Sequence, residues 1–420
     1  MQEGFVRKQW AIRALALLCA CSLSVGAHFG REFLGPIKSR LAREIGSSNS
    51  DFSTILASYS VNNTWTPLVA GLLAARLGTS RTSLLATSLV FGGQCILMIG
   101  RATKSIGAMA AGLFFFGLGT SPVSVVQETI IVRFFATTPY LGTFLSIGLL
   151  MGKASGFLSA YTSYPLSELN PMAPFVVSVL LSGFSWLVNW VFVAYGAWMR
   201  RAAGVEEEDG DSSRMSASEQ GLMRRREALS SSKVLSEQAT LEVIARKKRV
   251  FLLFEDLVRL GDVFWLYLAF NFLCGSIWSP FTHIAANLFQ VRYGYSEADA
   301  SWTASFLHAG SLILYPIAGY LSDRSRHQFI VYKLALISSF MTLACYGWLL
   351  LPVSMTGGAG KAMPGVVLFG IAEGFSTLLL VLMVPRLVPA KYIPTALGAH
   401  KSIESAGSTI SLTLAGAILD

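Results

Sequence analysis

Residues Gly319 to Arg326 read GYLSDRSR, and this short polar stretch lies between two long apolar segments. A degenerate copy, GLLAARLGTSR, occupies Gly71 to Arg81 and is flanked in the same way. A glycine at the end of a membrane helix lets a neighbouring helix pack closely. An Asp-Arg pair just outside the bilayer can cap the start of a neighbouring helix, and the basic residues favour the cytosolic side. One copy in each half of the chain predicts a transporter built from two parallel repeats.

The composition is that of a membrane protein. Of the 420 residues, 53% are hydrophobic and 14% are charged, and the mean hydropathy is +0.54. A soluble domain is about one quarter charged. The net charge of +9 does not indicate nucleic-acid binding, because the basic residues lie between apolar spans, where the positive-inside rule predicts them.

Eleven apolar segments are long enough to be transmembrane helices. They cover 10–33, 52–75, 81–100, 105–132, 141–163, 174–198, 262–288, 299–322, 328–351, 364–388 and 395–419. The predicted organisation is an N-terminal six-helix half (1–198), a mostly disordered cytosolic linker rich in charge and serine (199–261) and a C-terminal half (262–420). Six spans before a cytosolic linker put the N-terminus in the cytosol. A six-plus-six architecture has a twelfth helix, which is missing from this chain, so we expect the sequence to be incomplete at its C-terminus.

Four further stretches carry a family likeness: ASYSVNN (57–63), FGLGTSPVSVVQET (116–129), LLMGKASG (149–156) and LGAHKSIESAGSTISLTLAGAILD (397–420). Together with the repeated loop, they resemble the major facilitator superfamily and, within it, the lysosomal dipeptide transporter branch. The resemblance implies an all-α membrane protein of the major facilitator fold, with two six-helix halves that rock about a central site. It also implies a multi-pass protein of the lysosomal or vacuolar membrane and an accessory membrane glycoprotein as partner.

The chain departs from this family pattern at positions that matter for binding. The resemblance places a substrate-binding acid in span four and an arginine in span five, and the matching residues here are Ser121 and Lys153. Lysine keeps the charge of arginine but loses its bidentate geometry. Ala75 stands where the first loop has Asp in the signature, so we expect one inter-helix lock to be absent. The resemblance further implies four residues that line the cavity: Tyr59, Asn62, Asn63 and Gln127.

Charged residues inside the spans are functional candidates, because a charge at the centre of a bilayer is costly. Lys153 lies near the middle of span five, where it either binds a substrate carboxylate or forms a structural ion pair with a neighbouring helix. Lys401 and Glu404 are three residues apart in span eleven and share one helix face. Glu404 either binds a substrate amine or forms a self-neutralising pair with Lys401.

Other polar residues are candidates for gating or proton coupling. Asp323 and Arg324, in the second loop motif, are predicted to act in conformational switching rather than in binding. Glu373 has no basic neighbour within span ten and is a candidate proton carrier, while Gly374 beside it indicates helix packing as a further reason for that site.

Span seven holds two further candidates. Pro280 breaks the span beside Trp278 and Phe281, which suggests a gate-like kink. His283, like His308 in span eight, either titrates or serves as a hydrogen-bonded packing residue.

The sequence lacks the motifs of the common enzyme classes. It contains no G-x-S-x-G, no Walker loop and no HExxH. We therefore expect that the protein is not an enzyme and that it binds no cofactor and no metal. The predicted function is secondary active or facilitative transport of small peptides, dipeptides above all, by alternating access. One alternative is a carrier of organic anions such as monocarboxylates, using Lys153 and Lys401. Another is a membrane sensor or scaffold that does not transport.

Overall fold

The computed structural model of the chain describes residues 2–34, 37, 41, 44–45, 55, 58–59, 61–203, 260–324, 329–353 and 362–419. Most of the linker predicted at 199–261 lies outside these residues. The described α-helices are α1 Gln2–Glu32, α2 Thr66–Leu77, α3 Thr79–Ala102, α4 Ile106–Phe135, α5 Leu141–Leu169, α6 Ala173–Ala203, α7 Asp262–Tyr293, α8 Glu297–Arg324, α9 Ile330–Leu350, α10 Met363–Leu387 and α11 Ile393–Leu419. Two 3₁₀ turns, Val61–Thr64 and Ala390–Tyr392, precede α2 and α11.

The apolar spans fold as helices because a bilayer offers no water to their backbone groups, and a helix satisfies those groups within one segment. Eight helices among the described residues are long and apolar enough to cross a membrane, and α2 and the first part of α7 are shorter apolar helices. Each predicted span coincides with one described helix. Span two differs most, since its continuous helix α2 begins at Thr66; within 51–60 the structure describes only residues 55, 58 and 59, and these are helical.

Helices α1–α6 form one group and α7–α11 a second group. Within the first, α3 packs on α4 and α1 packs on α5 and α6. Within the second, α7 packs on α11 and α10 packs on α8 and α9. The two groups meet through α5 against α8 and through α2 against α11.

Three buried apolar clusters show that the groups meet at one end of the bundle. The largest cluster contains residues of both groups, from Ile12 in α1 and Phe135 in α4 to Tyr315 in α8 and Val384 in α10. We call this the closed end. Towards the opposite end, one cluster draws only on the first group and another, around Phe281, only on the second. We call that the open end, because the described residues form no buried apolar cluster there that joins both groups.

Close helix contacts at the closed end use the glycines of the repeated loop motif. A Cβ atom on Gly319 of α8 would lie 2.6 Å from the Gly142 carbonyl oxygen of α5. In the other repeat, a Cβ on Gly398 of α11 would lie 2.5 Å from the Pro67 carbonyl oxygen and 3.0 Å from the Gly71 Cα atom of α2. Only glycine lets the backbones approach this closely. The glycines therefore set the close approach of α5 to α8 and of α2 to α11, which are the two most extensive contacts between the groups.

Candidate functional site

An ion pair joins the two helix groups near the middle of the bundle. The Lys153 Nζ atom of α5 lies 2.8 Å from the Glu373 Oε1 atom of α10. The basic partner that Glu373 lacks within its own span is thus supplied by the other half of the chain. The Lys153 side chain keeps 31% of its surface accessible and the Glu373 side chain 10%. Partial exposure of a mid-bundle lysine indicates that it borders a space between the groups.

A second ion pair lies on α11, as the spacing predicts. The Lys401 Nζ atom contacts both carboxylate oxygens of Glu404, at 2.9 and 3.0 Å. These side chains are 28% and 25% exposed. Lys401 and Glu404 therefore contact each other and are also accessible from the space between the groups.

Four residues that the sequence predictions do not include add to this charged cluster. Arg31 Nε lies 3.2 Å from Glu32 Oε1 at the end of α1, and Arg31 also interacts electrostatically with Glu404. The ring of His28, one turn earlier, packs against Gly152 of α5.

Glu128 of α4 is the fourth of these residues. It is buried, and it interacts electrostatically with Lys401 and Glu404. Among the described residues, its Oε2 atom has no hydrogen-bond partner. The rule that selects Lys153, a charge within an apolar span, also selects Glu128, which lies inside the stretch FGLGTSPVSVVQET.

A buried network connects α11 to α7 beside the second ion pair. The Tyr267 hydroxyl donates to the Leu380 carbonyl oxygen at 2.8 Å and lies 2.7 Å from His400 Nδ1. The Asn271 amide donates to the His400 carbonyl oxygen at 2.7 Å. The other ring nitrogen, His400 Nε2, is 3.7 Å from Glu404 Oε2. His400 is thereby held between the α7 network and the charged cluster.

The predicted cavity-lining residues divide into two kinds. Tyr59 and Asn63 are partly exposed; the Tyr59 ring packs on Phe116 at 5.8 Å, and Asn63 Oδ1 accepts a hydrogen bond of 2.9 Å from Ser121. Asn62 is buried, and its amide donates to the Phe114 carbonyl oxygen at 2.9 Å.

Gln127 is also buried, and its amide donates to the Gly148 carbonyl oxygen of α5 at 3.1 Å. Asn62 and Gln127 therefore tie helices together with the amide groups that were expected to face a substrate.

Asp323 caps the start of α5 at the closed end. Its carboxylate accepts hydrogen bonds from the Gly142 N–H at 2.7 Å, the Thr143 N–H at 2.6 Å and the Thr143 hydroxyl at 2.6 Å. Since α8 and α5 belong to different groups, this cap holds the groups together. The guanidinium of Arg324 lies over the ring of Tyr320, 5.8 Å from its centroid.

The contact of α2 with α11 in the other repeat has residues at matching positions, but the residue that corresponds to Asp323 is not an acid. Thr395 is the third residue of α11, as Thr143 is the third of α5, and Ala75 follows Gly71 as Asp323 follows Gly319. The Thr395 side chain is buried, and within the described residues its hydroxyl has no hydrogen-bond partner. Pro394 occupies the place of Gly142 and has no N–H to offer. The structure thus retains the donor of a second cap without its acceptor.

The predicted break of span seven at Pro280 is not found, the gate-like kink there stays a prediction, and two histidine candidates fall outside the description. Helix α7 runs without a break through residue 280, so Pro280 does not break span seven. A membrane helix tolerates an internal proline because neighbouring groups satisfy the freed carbonyl. The side chains of Pro280, His283 and His308 lie outside the described residues. Next to them, Trp278 Nε1 donates to the Thr342 hydroxyl at 2.8 Å.

One family model, described as Major Facilitator Superfamily, matches residues 20–412 of the chain. The chain belongs to the major facilitator superfamily. It is therefore a multi-pass membrane transporter that acts on small molecules, and it is not an enzyme.

Curated relatives that align with nearly the whole of this chain include lysosomal dipeptide transporters named MFSD1. The lysosomal dipeptide transporter MFSD1 of Danio rerio is 23% identical over 418 residues, which are 97% of this chain and 81% of that protein. The Homo sapiens protein of that name is 22% identical over 420 residues, with 98% and 80% covered.

Solved structures of the superfamily share the fold at low identity. The human organic anion transporter MFSD10 (TETRAN) superimposes with a TM-score of 0.63 at 13% identity, covering 98% of this chain and 93% of its own. The transporter FucP in the outward conformation gives 0.62 at 12% identity, with 97% and 92% covered. These matches establish the major facilitator fold for this chain.

Proposed function

We propose that this transporter moves small zwitterionic peptides, dipeptides above all, across a lysosomal or vacuolar membrane by alternating access. The observation that carries the proposal is the cluster of charges of both signs between the two helix groups. Lys153 and Glu373 come from different groups, and Lys401 and Glu404 lie partly exposed beside them. The names of the full-length relatives support the same substrate class and membrane.

The balance of charge favours a zwitterion over an organic anion. The cluster contains three bases, Arg31, Lys153 and Lys401, and four acids, Glu32, Glu128, Glu373 and Glu404. A site for a simple anion needs an excess of cations, because each mid-membrane charge costs about 2.5–3.5 kcal/mol on insertion scales unless it is paired. A zwitterion can replace one base and one acid at the same time, which leaves the net charge of the site unchanged.

The two ion pairs suggest how substrate charges are exchanged. The peptide carboxylate displaces Glu373 from Lys153, and the peptide amine displaces Lys401 from Glu404. These four side chains are paired with one another in the empty state, so neither ion pair leaves its own charges without a partner in a low-dielectric region. Both exchanges involve residues of the second helix group, and the first involves α5 of the opposite group. Binding therefore changes the contact between the groups directly.

The architecture supports alternating access about this cluster. The closed end is held by the Asp323 cap and by the glycine contacts, while the charged cluster lies near the middle of the bundle. We place the closed end and the N-terminus in the cytosol, since Arg76, Arg81 and Arg324 lie at the loops of that end and the positive-inside rule favours that side. An accessory membrane glycoprotein remains part of the proposal through the family resemblance.

Uptake by purified protein in liposomes tests the proposal. We expect saturable uptake of alanyl-alanine, and little uptake of N-acetyl-alanyl-alanine, alanyl-alanine amide or lactate, because each of these lacks one of the two charges. Uptake of lactate at a rate similar to that of the dipeptide would support the organic-anion alternative. Absence of uptake for every compound would support a sensor or scaffold. When a cluster lysine is removed, as in Lys153→Ala, the matched control is Lys391→Ala, which removes an exposed cation outside the cluster.

A further inference from the structure

Two hydroxyl groups of α8 lie buried near the Lys153–Glu373 ion pair. The side chains of Ser311 and Tyr315 are both fully buried. Among the described residues, neither the Ser311 Oγ atom nor the Tyr315 hydroxyl oxygen has a hydrogen-bond partner. A buried hydroxyl without a partner destabilises a protein, because it has lost its contacts with water and gained none in return. Two such groups side by side indicate that an acceptor reaches them in another state of the molecule.

The packing of α8 on α10 brings these hydroxyls close to Glu373. A Cβ atom on Gly374 of α10 would lie 3.0 Å from the Gly310 carbonyl oxygen of α8, so the two helix backbones are in close contact here. Ser311 directly follows Gly310, and Glu373 directly precedes Gly374. Both side chains therefore start from the place where the two helices are closest.

Tyr315 connects this helix contact to the ion pair. It comes four residues after Ser311, on the same face of α8, and it interacts electrostatically with both Lys153 and Glu373. Its hydroxyl also lies beside those of Ser311 and Thr377, but neither contact has hydrogen-bond geometry. Glu373 thus has near it a base of the opposite helix group and unpaired donors of its own group.

We infer that the Ser311 and Tyr315 hydroxyls form a receiving site for the Glu373 carboxylate, which moves there when a peptide carboxylate takes its place on Lys153. The inference rests on the proposed function. Both hydroxyls donate to the displaced carboxylate, and O–H···O⁻ hydrogen bonds of this kind are short and strong. The carboxylate therefore keeps partners throughout the exchange, whereas an isolated charge in a low-dielectric region would oppose it.

The exchange replaces a contact between the helix groups with a contact inside one group. In the empty state, Glu373 of α10 binds Lys153 of α5 across the boundary at 2.8 Å. After the exchange, Glu373 binds α8, which belongs to the same group as α10. Peptide binding thereby releases a direct tie between the groups. Ser311 and Tyr315 act through Glu373, so they are positioning residues that do not touch the peptide.

A structure of Lys153→Met tests the inference without substrate, because this change removes the base from Glu373 as a peptide carboxylate would. In a cryo-electron microscopy structure of the reconstituted variant, we expect the Glu373 carboxylate oxygens within about 2.5–3.0 Å of the Ser311 and Tyr315 hydroxyl oxygens. A Glu373 side chain that keeps its position, or that turns into the space between the groups, would overturn the inference.

Thermal unfolding of Tyr315→Phe in two backgrounds gives a second test without substrate. In the wild type, the change removes an unpaired buried hydroxyl, so the melting temperature should stay the same or rise. In Lys153→Met it removes a donor to Glu373, so the melting temperature should fall. The control Tyr346→Phe removes a bond of 2.9 Å to the Ile277 carbonyl oxygen and should lower the melting temperature in both backgrounds. A Tyr315→Phe shift that is equal in both backgrounds would contradict the inference.

Peptide binding gives a third test. Tyr315→Phe and Ser311→Ala should each weaken alanyl-alanine binding by about 10- to 100-fold, which is the effect of one hydrogen bond to a charged group. In a Glu373→Gln background the same changes should have little effect, because the hydroxyls act through the carboxylate. Equal losses in both backgrounds would mean direct contact with the peptide and would contradict the inference. If the wild type does not bind alanyl-alanine, the proposed function fails, and the structure and melting of Lys153→Met still decide whether the hydroxyls receive Glu373.

Discussion

The Asp323 cap gives a prediction whose size follows from the structure. Asp323→Ala removes three hydrogen bonds of 2.6–2.7 Å that link α8 to the start of α5. Loss of a helix N-cap costs about 0.5–2 kcal/mol, and a hydrogen bond to a charged group contributes about 1.5–3 kcal/mol. These contributions are not additive, so we take about 2–3 kcal/mol for the whole cap. That energy shifts the equilibrium between closed and open states at this end by about 30- to 160-fold.

The missing cap of the other repeat supplies the complementary change. Ala75→Asp places a carboxylate at the position that corresponds to Asp323, where the Thr395 hydroxyl is buried and has no partner among the described residues. Pro394 offers no N–H, so the new cap has one donor fewer than the cap on α5. We expect a gain of about 1–2 kcal/mol in favour of the closed state. Ala75→Asp should therefore restore part of the closure that Asp323→Ala removes.

The distribution of distances between spin labels at positions 81 and 333 can measure the equilibrium between the closed and open states. Both positions are exposed at the closed end, and they belong to different helix groups. Asp323→Ala should broaden and lengthen the distribution, and Ala75→Asp in the same chain should shorten it again. Asp323→Asn should slow turnover with little change in dipeptide affinity. Ser105→Ala, which removes a cap within one helix group, is the control. An unchanged distribution, or lost affinity with normal turnover, would refute the role of Asp323 in switching.

Three further changes test the site and the packing around it. Lys153→Ala should reduce dipeptide uptake by about 100-fold or more, through loss of a charge-assisted contact, in a protein that is folded by gel filtration and correctly sorted; wild-type uptake would exclude substrate contact. Glu404→Gln should weaken alanyl-alanine binding about tenfold and leave N-acetyl-alanyl-alanine unaffected, whereas equal effects in competition assays would make the Lys401 pair structural. Gly398→Ala should open the closed end in spin-label measurements, because its Cβ would lie 2.5 Å from the Pro67 carbonyl oxygen, while Gly92→Ala, with nothing within 4 Å, should not.

The helices and the Asp323 cap could be predicted from the sequence because both depend on local sequence patterns. Apolar length predicts each span, and the start of α7 at Asp262 coincides with the predicted boundary. The Asp-Arg motif predicts that Asp323 caps a helix start. The two amides expected in the cavity, Asn62 and Gln127, are buried against helix backbone instead, since sequence alone does not determine how a helix is rotated about its axis.

The arrangement of charges between the groups was harder to predict. Lys153 and Glu373 are far apart in the sequence, and only the packing of the two groups brings them to 2.8 Å. The hydrogen bond between Tyr267 and His400 depends on tertiary packing in the same way. Glu128 is different, because a carboxylate within an apolar span is visible in the sequence and the cost of burying it makes it a functional candidate.

The most direct test of the proposed substrate mechanism is a structure of the protein with alanyl-alanine bound. We predict that the peptide carboxylate lies within hydrogen-bond distance of Lys153 Nζ and the peptide amine within the same distance of Glu404. The contact between Lys153 and Glu373, 2.8 Å in the structure described above, should then be broken. A bound peptide elsewhere, with both ion pairs intact, would contradict the mechanism.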